Sequence, residues 1–575
     1  MSDSYFINPY NFVPLEGKCD KQERRNGEFT GVIECNLQTL TPTFIPNNIE
    51  TSQEFFHYPQ DKQPIIPGSE IRGMIRSVFE AAFNGCLSQV NKGAFHRRSM
   101  EKKQAGLLYK KDGVWKLQEA DPVKLKEKPY LTKSKKLQEA QLLYSKNNKL
   151  FYDIQENIDY KEGYVHLSEQ GIHGKPIFVF QPKDKVYDLE EKDINSLITV
   201  LEIYQKNRNS EESKGKFRDH SGYVEYKNIL MGLRDNKAEG IMKLPVYYVI
   251  TSNKVSHLAP AVLSQEVFEN TLLSILKHQG DYEPCTCQSK ICAACHLFGF
   301  VSEQFMQASR IRFSDAVPRE GVESFEEIIR LPALGEPKPG TIEFYAEKIV
   351  GAKYWTYDYK TNQVEETLDS IAPNDIKLNG RKFYWHHKPN TEKYKEDAKK
   401  TKKSKMEYDV KPIKGNGSFT FNIYFEKLSE QEINQLCNVL DINSSKKHAH
   451  KIGRGKPLGF GSVCIEVNSI KVRTIDGATG LYSYTEKSRV DNKLYNIHEH
   501  SDLLQILACE PNLPKGAISY PKVAPKKSNG KPNDIASHQW FNKNNKNKKE
   551  IKRTLPTIKE ETSNNKYLWL KILEK

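Results

Sequence analysis

The chain has 575 residues, enough for about three or four average domains or for one fold carrying large insertions. Its hydrophobic content of 37%, with 26 Phe, 29 Tyr and 5 Trp, supplies real cores and excludes a wholly disordered chain. The net charge of +14 favours a polyanionic partner, nucleic acid before membrane, and no apolar run reaches the roughly 18 residues that span a bilayer.

The first residues, Met1-Ser2-Asp3-Ser4-Tyr5-Phe6, lack the basic and apolar regions of a signal peptide, so a cytoplasmic location is expected. Residues 1–28 read as a polar, irregular entry. Gly31–Leu40 alternates apolar and polar side chains and predicts a strand, ended by Thr41-Pro42. A loop from Thr43 to Pro64 carries Glu54, His57 and Asp61. Ile66-Pro67-Gly68-Ser69 then opens a helix. Ser69 is its expected N-cap, and Ile71, Met74, Ile75, Val78, Phe79, Ala82 and Phe83 form one apolar stripe. Arg72 and Arg76 lie four apart beside the free amides of the helix start, a combination suited to phosphate.

Residues 97–240 are lysine-rich and read as a basic insertion, with a strand at Lys175–Gln181 and a helix near Ile194–Lys206. Leu244–Ser252 predicts a strand. Ser264 is expected to open a helix with Val267, Phe268, Thr271, Leu272, Ile275 and Leu276 on one face. Ala308–Ala316 and Thr341–Ile349 predict strands, and the charged run Lys388–Lys405 predicts a loop. Ser418–Glu426 alternates strictly, with Phe419, Phe421, Ile423 and Phe425 on a face that reads as core. Ser429 and Glu432 form a capping box for a helix with Ile433, Leu436 and Leu440 inward, and Ser462–Val467 reads as a last strand. Past residue 475 the composition turns to Pro, Lys and Asn, which marks a C-terminal extension. The strand–helix alternation predicts an α+β fold.

Cys285, Cys287, Cys292 and Cys295 fall within eleven positions and are followed by His296. In a reducing compartment, cysteines this close are read as metal ligands rather than disulfides. Four of these five residues could hold zinc, with an iron–sulfur cluster as the alternative. A four-thiolate shell has no open position, so the expected role is structural. Gly453-Arg454-Gly455-Lys456-Pro457-Leu458-Gly459-Phe460-Gly461 is a glycine-rich loop between a helix and a strand. It lacks the Lys-Ser/Thr of a Walker loop and the following helix of a dinucleotide fingerprint. Its glycines allow close backbone approach, and Arg454 and Lys456 add charge for a sugar-phosphate chain.

Four blocks, taken together and in order, resemble the RAMP (repeat-associated mysterious protein) superfamily of CRISPR systems, specifically the type III subunits that coat the guide RNA. They are Ile66–Ser77, Cys292–Gly299, Ala308–Ala316 and Gly453–Gly461. Gly380–His387, GRKFYWHH, is similar to a segment of a larger subfamily. The resemblance implies an RRM-like (ferredoxin-like) core with large insertions, divided as 1–96 first core part, 97–240 basic insertion, 241–300 helix and zinc-binding segment, 301–474 remaining core and 475–575 extension. It implies guide RNA held along Ser69, Arg72, Arg76, Arg381, Lys382, Gly453, Arg454, Gly455, Lys456, Gly459 and Gly461, with complementary target RNA and other effector subunits as partners and no membrane.

Catalytic members cleave target RNA with an aspartate in the loop before the first helix. Here Glu54 stands near the expected place with His57 beside it, so Mg²⁺ enters only if the chain is catalytic. His386 and His387 are the candidates for metal-independent cleavage. A subunit that coats RNA without cutting it is the favoured expectation.

Overall fold

The computed structural model describes residues 5–47, 53–90, 93, 96–98, 103–124, 149–153, 160–166, 178–208, 221–235, 243–261, 264–335, 339–361, 367–400, 403, 406–490, 492–499, 501–524, 537–546, 552–563 and 565–574. These form a mixed α+β structure that divides into two compact units, 1–92 with 272–349 and 373–575, and 93–271 with 350–372.

The first unit contains strands β1 (Tyr10–Val13) and β2 (Phe29–Thr39), then helix α1 (Gly68–Ala82). Next come a short helix α2 (Ala293–Phe298), strands β3 (Phe300–Val301), β4 (Met306–Gln307), β5 (Ile311–Phe313) and β6 (Val317–Glu320). Strand β7 (Arg381–Tyr384) and helix α3 (Thr391–Lys399) follow. Strand β8 (Ser418–Leu428), helix α4 (Glu430–Leu440), β9 (His450–Lys451), β10 (Ser462–Ile475) and β11 (Tyr482–Glu486) complete the set used below.

The main sheet runs β5–β8–β2–β10–β9, with β6 also on β8 and β11 on β10, and every pairing is antiparallel. In chain order its backbone is β2, α1, β5/β6, β8, α4, β10, a βαββαβ series with the first and third strands adjacent at the centre. Helices α1 and α4 pack on each other and bury their apolar stripes, Ile71, Met74, Ile75, Val78 and Phe79 with Ile433, Leu436 and Leu440. Beneath them Phe419, Phe421, Ile423 and Phe425 of β8 are buried, each contributing about 1.5–3 kcal/mol. Their alternate neighbours Thr420, Asn422, Tyr424 and Glu426 face the other way, as strict alternation requires.

The remote chain segments also close this unit. Tyr5–Phe6 pairs with Leu570–Lys571, and Phe6, Phe12, Phe344, Trp540, Leu570 and Ile572 share one core cluster. The entry therefore contains strands, and part of the 475–575 region is packed into the unit.

The second unit is built on a seven-stranded antiparallel sheet, in the order 254–259, 244–251, 104–111, 114–124, 178–189, 160–166, 149–153. Helices Glu191–Arg208 and Ser221–Arg234 pack through Leu197, Leu201, Tyr226 and Leu230 against Leu108, Leu117, Val246 and Tyr248. Of the expected strand Lys175–Gln181, residues 175–177 lie outside the described residues and the remainder begins the strand at 178–189.

Three local expectations are corrected. The helix expected from Ser264 begins only at Leu272, and Gln265–Val267 is a strand paired with His96–Arg98. Glu266 is drawn inward by Lys103 at 3.1 Å and by the Tyr359 hydroxyl at 2.9 Å, contacts that a helix on that stripe would forfeit. Within Thr341–Ile349 the chain forms a helical turn, Ile342–Tyr345, with buried Glu343 3.1 Å from Lys552. The charged run after Lys388 contains α3, capped by the Asn390 side chain on the Lys393 amide and braced by Lys395 to Glu392 and Glu327.

Candidate metal centre and nucleic-acid interface

Four buried cysteines, Cys86, Cys285, Cys292 and Cys295, hold their sulfurs within 4.8 Å of one another. The Cys86 sulfur lies 3.5, 3.7 and 3.8 Å from those of Cys295, Cys292 and Cys285. A tetrahedral ZnS₄ centre with Zn–S of about 2.3 Å places its sulfurs roughly 3.8 Å apart, so the donor set fits a metal ion such as zinc. Three N–H groups also point at sulfur: the Cys292 amide to Cys285 at 3.3 Å, the Cys295 amide to Cys292 at 3.4 Å, and Arg76 Nη2 to Cys295 at 3.3 Å. Hydrogen bonding from Cys285, Cys295 and Cys86 holds the Cys292 thiol far below its ordinary range. Donors aimed at sulfur favour thiolate, the form that binds metal.

This set differs from the one expected. Cys287 is half-exposed and meets Ser289 Oγ at 3.5 Å, outside the cluster. His296 faces away, its Nδ1 3.0 Å from Glu432 Oε1 and 2.6 Å from Arg310 Nη2. Cys86 takes the fourth place. It follows α1 and stands 199 residues from Cys285, so only the folded topology brings it in.

The cluster lies in a joint where the sequence blocks interlock. Arg76 is buried, donating to Glu80 Oε1 at 2.8 Å and to the Gly299 carbonyl at 2.8 Å as well as to sulfur. Ile66 exchanges backbone hydrogen bonds with Ala316, and the Gly68 amide donates to Asp315 Oδ1 at 2.7 Å. Tyr58 also donates to Asp315. The start of α1 is thus capped by a carboxylate from the Ala308–Ala316 block, and Ser69 makes no capping bond. A Cβ at Gly68 would meet the Phe313 carbonyl at 2.5 Å, so the glycine serves this internal contact. Arg310, from the same block, bonds the Leu297 and His296 carbonyls through its amide and Nε, and its guanidinium pairs with Glu432. Burial works to raise the Glu432 carboxyl, but hydrogen bonds from His296 and Arg310 prevail and hold it at about 2.

Arg72 occupies a different environment. It donates to the Phe298 carbonyl, lies 5.8 Å over the Phe298 ring, and lines a cleft of about 350 Å³ with Ser88, Gln89 and Phe300. Among the described residues it has no carboxylate partner. Desolvation and the charge of Arg76 both lower its pKa, so an incoming anion would relieve it.

The glycine-rich loop turns through left-handed φ at Gly453, Gly455, Gly459 and Gly461. A Cβ there would meet the Phe44 carbonyl at 2.3 Å, the Phe460 side chain at 3.2 Å, the His387 carbonyl at 2.6 Å and the Ile452 carbonyl at 1.9 Å. The close approach that glycine permits is spent on the protein's own chain. Arg454 lies 5.9 Å from the Tyr408 ring, and Lys456 is lowered by burial, partly offset by Glu70 at the start of α1. The loop therefore adjoins the end of α1 that the sequence pairs with it.

Arg381 is buried, bonded to the Gly85 carbonyl and stacked 5.4 Å from the Tyr282 ring, which ties it to the cysteine side of the unit. Lys382 lies 3.7 Å over Tyr10, its pKa pushed down to about 8 by burial. His386 is 2% exposed and bonds Ser462 Oγ at 2.9 Å; burial pushes it well below the usual imidazole value. His387 is pushed to about 4 by burial and the Lys451 charge, with Nε2 3.3 Å from the Pro457 carbonyl. His386 is thus buried against the start of β10, and His387 is half-buried against the loop. Glu54 is exposed, 3.9 Å from His57 Nε2, and His57 Nδ1 sits 3.0 Å from its neighbour Phe55's carbonyl. Among the described residues, the four-cysteine cluster is the one group of three or more potential ligands close enough to hold a metal.

Among the described residues, no helix is long and apolar enough to cross a membrane. No curated protein matches the chain. The model of the RAMP superfamily matches residues 36–244 and 266–464, more than half of the sequence and all four interlocking blocks. The chain belongs to the RAMP superfamily.

Proposed function

We propose that this protein is a guide-RNA-coating backbone subunit of a type III-like CRISPR effector that recognises complementary target RNA. Membership of the superfamily supports a CRISPR-associated, RNA-binding role in general. The βαββαβ order of the main sheet, with both helices on one face, supports an RRM-like core. One observation carries the phosphate-binding part of the reading: Arg72, in its cleft, is a partly desolvated cation without a carboxylate partner among the described residues. Arg454 and Lys456 would extend such a track, since backbone contact without base readout is what a guide-coating subunit needs. The cysteine cluster would carry zinc in a structural role, because four thiolates leave no position for water or substrate.

Changing Arg72 and Arg454 together to Glu is expected to remove co-purifying short RNA and leave the melting temperature unchanged. Sequencing the RNA bound to the wild type tests the same reading, with repeat-derived ends as the expected result. Retention of that RNA by the double variant would exclude the assigned track. For target cleavage, a complex carrying Glu54→Ala, supplied with matched RNA and Mg²⁺, tests whether Glu54 has any part.

A further inference from the structure

The sheet face opposite α1 and α4 carries a second cleft, of about 350 Å³. It is lined by Thr30 of β2, Arg312 of β5, Tyr424 and Glu426 of β8, Arg473 of β10 and Tyr484 of β11. Register explains the gathering: Arg312 sits directly across from Tyr424, and Arg473 directly across from Tyr484, on strands flanking β2. The two tyrosines are 47% and 48% exposed, beside Glu34, Asn36, Gln38, Thr420 and Asn422 of β2 and β8 and the exposed Ile475 and Tyr482 at the hairpin end. Arg312 is balanced by Glu426, whereas Arg473 has no ion pair among the described residues and lies 6.0 Å from the Tyr482 ring.

We propose that this cleft is a stacking subsite for the bases of single-stranded RNA, with Tyr424 and Tyr484 as platforms and Arg473 as the cation beside the backbone. The proposal rests on the RNA-binding reading and adds a second surface to it. Flat rings presented half-exposed on a polar sheet suit a base, which offers a π face and a hydrogen-bonding edge. A protein partner would call for an apolar centre, whereas the β2 and β8 side chains of this face are polar and the exposed Ile475 and Tyr482 lie at the outer end of the β10–β11 hairpin.

The test uses the full-length protein and a fluorescent U₁₂ RNA, with an abasic RNA of equal length as control. Tyr424→Ala with Tyr484→Ala is expected to weaken U₁₂ binding on the order of tenfold or more. The slope of affinity against salt should stay unchanged, since no phosphate contact is lost. Tyr424→Phe with Tyr484→Phe should restore wild-type affinity, and the alanine pair should bind the abasic strand as the wild type does. Both rings are exposed, so melting temperatures should agree. If the alanine pair binds U₁₂ as tightly as wild type, the subsite is overturned and the RNA-binding reading stands. If the wild type itself binds no single-stranded RNA, the RNA-binding reading falls, and this inference with it.

Discussion

The cysteine joint and the glycine-rich loop both bring glycines and basic residues together, yet the fold uses their charges differently. At the joint, Arg76 and Arg310 are consumed: one by Glu80, a carbonyl and a sulfur, the other by Glu432 and the backbone of the helix that carries Cys295. At the loop the glycines are consumed by backbone contact, while Arg454 lies beside the Tyr408 ring and Lys456 feels the charge of Glu70 at the start of α1. A basic residue beside glycine is therefore ambiguous until its partner is known. The two arginines of α1, one turn apart, show it most clearly: Arg76 is structural and Arg72 is the candidate for phosphate.

The contrast can be broken at its strongest point by removing a sulfur. Cys86→Ser or Cys292→Ser should release bound metal, measured by elemental analysis, and leave an aggregating chain, because structural zinc binding is worth on the order of 10 kcal/mol or more. A soluble Cys86→Ser protein with full metal content would remove Cys86 from the ligand set. Next in size, Arg76→Glu should cost about 3–5 kcal/mol in denaturant melts, since it leaves Glu80 buried beside a second carboxylate. The same change at Arg72 should cost less than about 1 kcal/mol.

Acid sharpens the comparison from the carboxylate side. The folded Glu432 carboxyl is held at about 2, below its ordinary 4.5, so its stabilisation is complete above about pH 4.5 and is lost as the pH falls toward 2. The loss is expected to reach about 3 kcal/mol, and Glu432→Gln should flatten that part of the stability–pH curve. The smallest effect carries the opposite sign. A Cβ at Gly73, inside α1, would meet nothing within 4 Å, so Gly73→Ala should stabilise by about 0.5–1 kcal/mol. A melting temperature lowered by that change would mean that the exposed face of α1 is engaged.

What the sequence discloses follows from how local each signal is. β8 and the capping box of α4 were readable because alternation and the Ser429–Glu432 pair act over a few residues. The cysteine set was half-readable: Cys285, Cys292 and Cys295 lie close in the chain, but Cys86 arrives from another element. Asp315 could not be recognised as the cap of α1 from spacing, because the contact joins residues 247 positions apart. The Ser264 helix failed for a similar reason, as its pattern was overridden by a buried ion pair from Glu266 to Lys103. The candidate RNA residues were legible as types, basic and glycine, and illegible as roles.

The pairing of Tyr5–Phe6 with Leu570–Lys571 has a temporal consequence. During synthesis at roughly 5–20 residues per second, that first strand waits on the order of half a minute to two minutes for its partner to emerge. Until then Phe6 and Phe12 have no Trp540 or Leu570 to pack against, and Asn11 and Trp385 have no Glu561 to bond. The nascent chain thus carries an unsealed seam beside its core until Trp540, Glu561 and Leu570 have emerged to shut it.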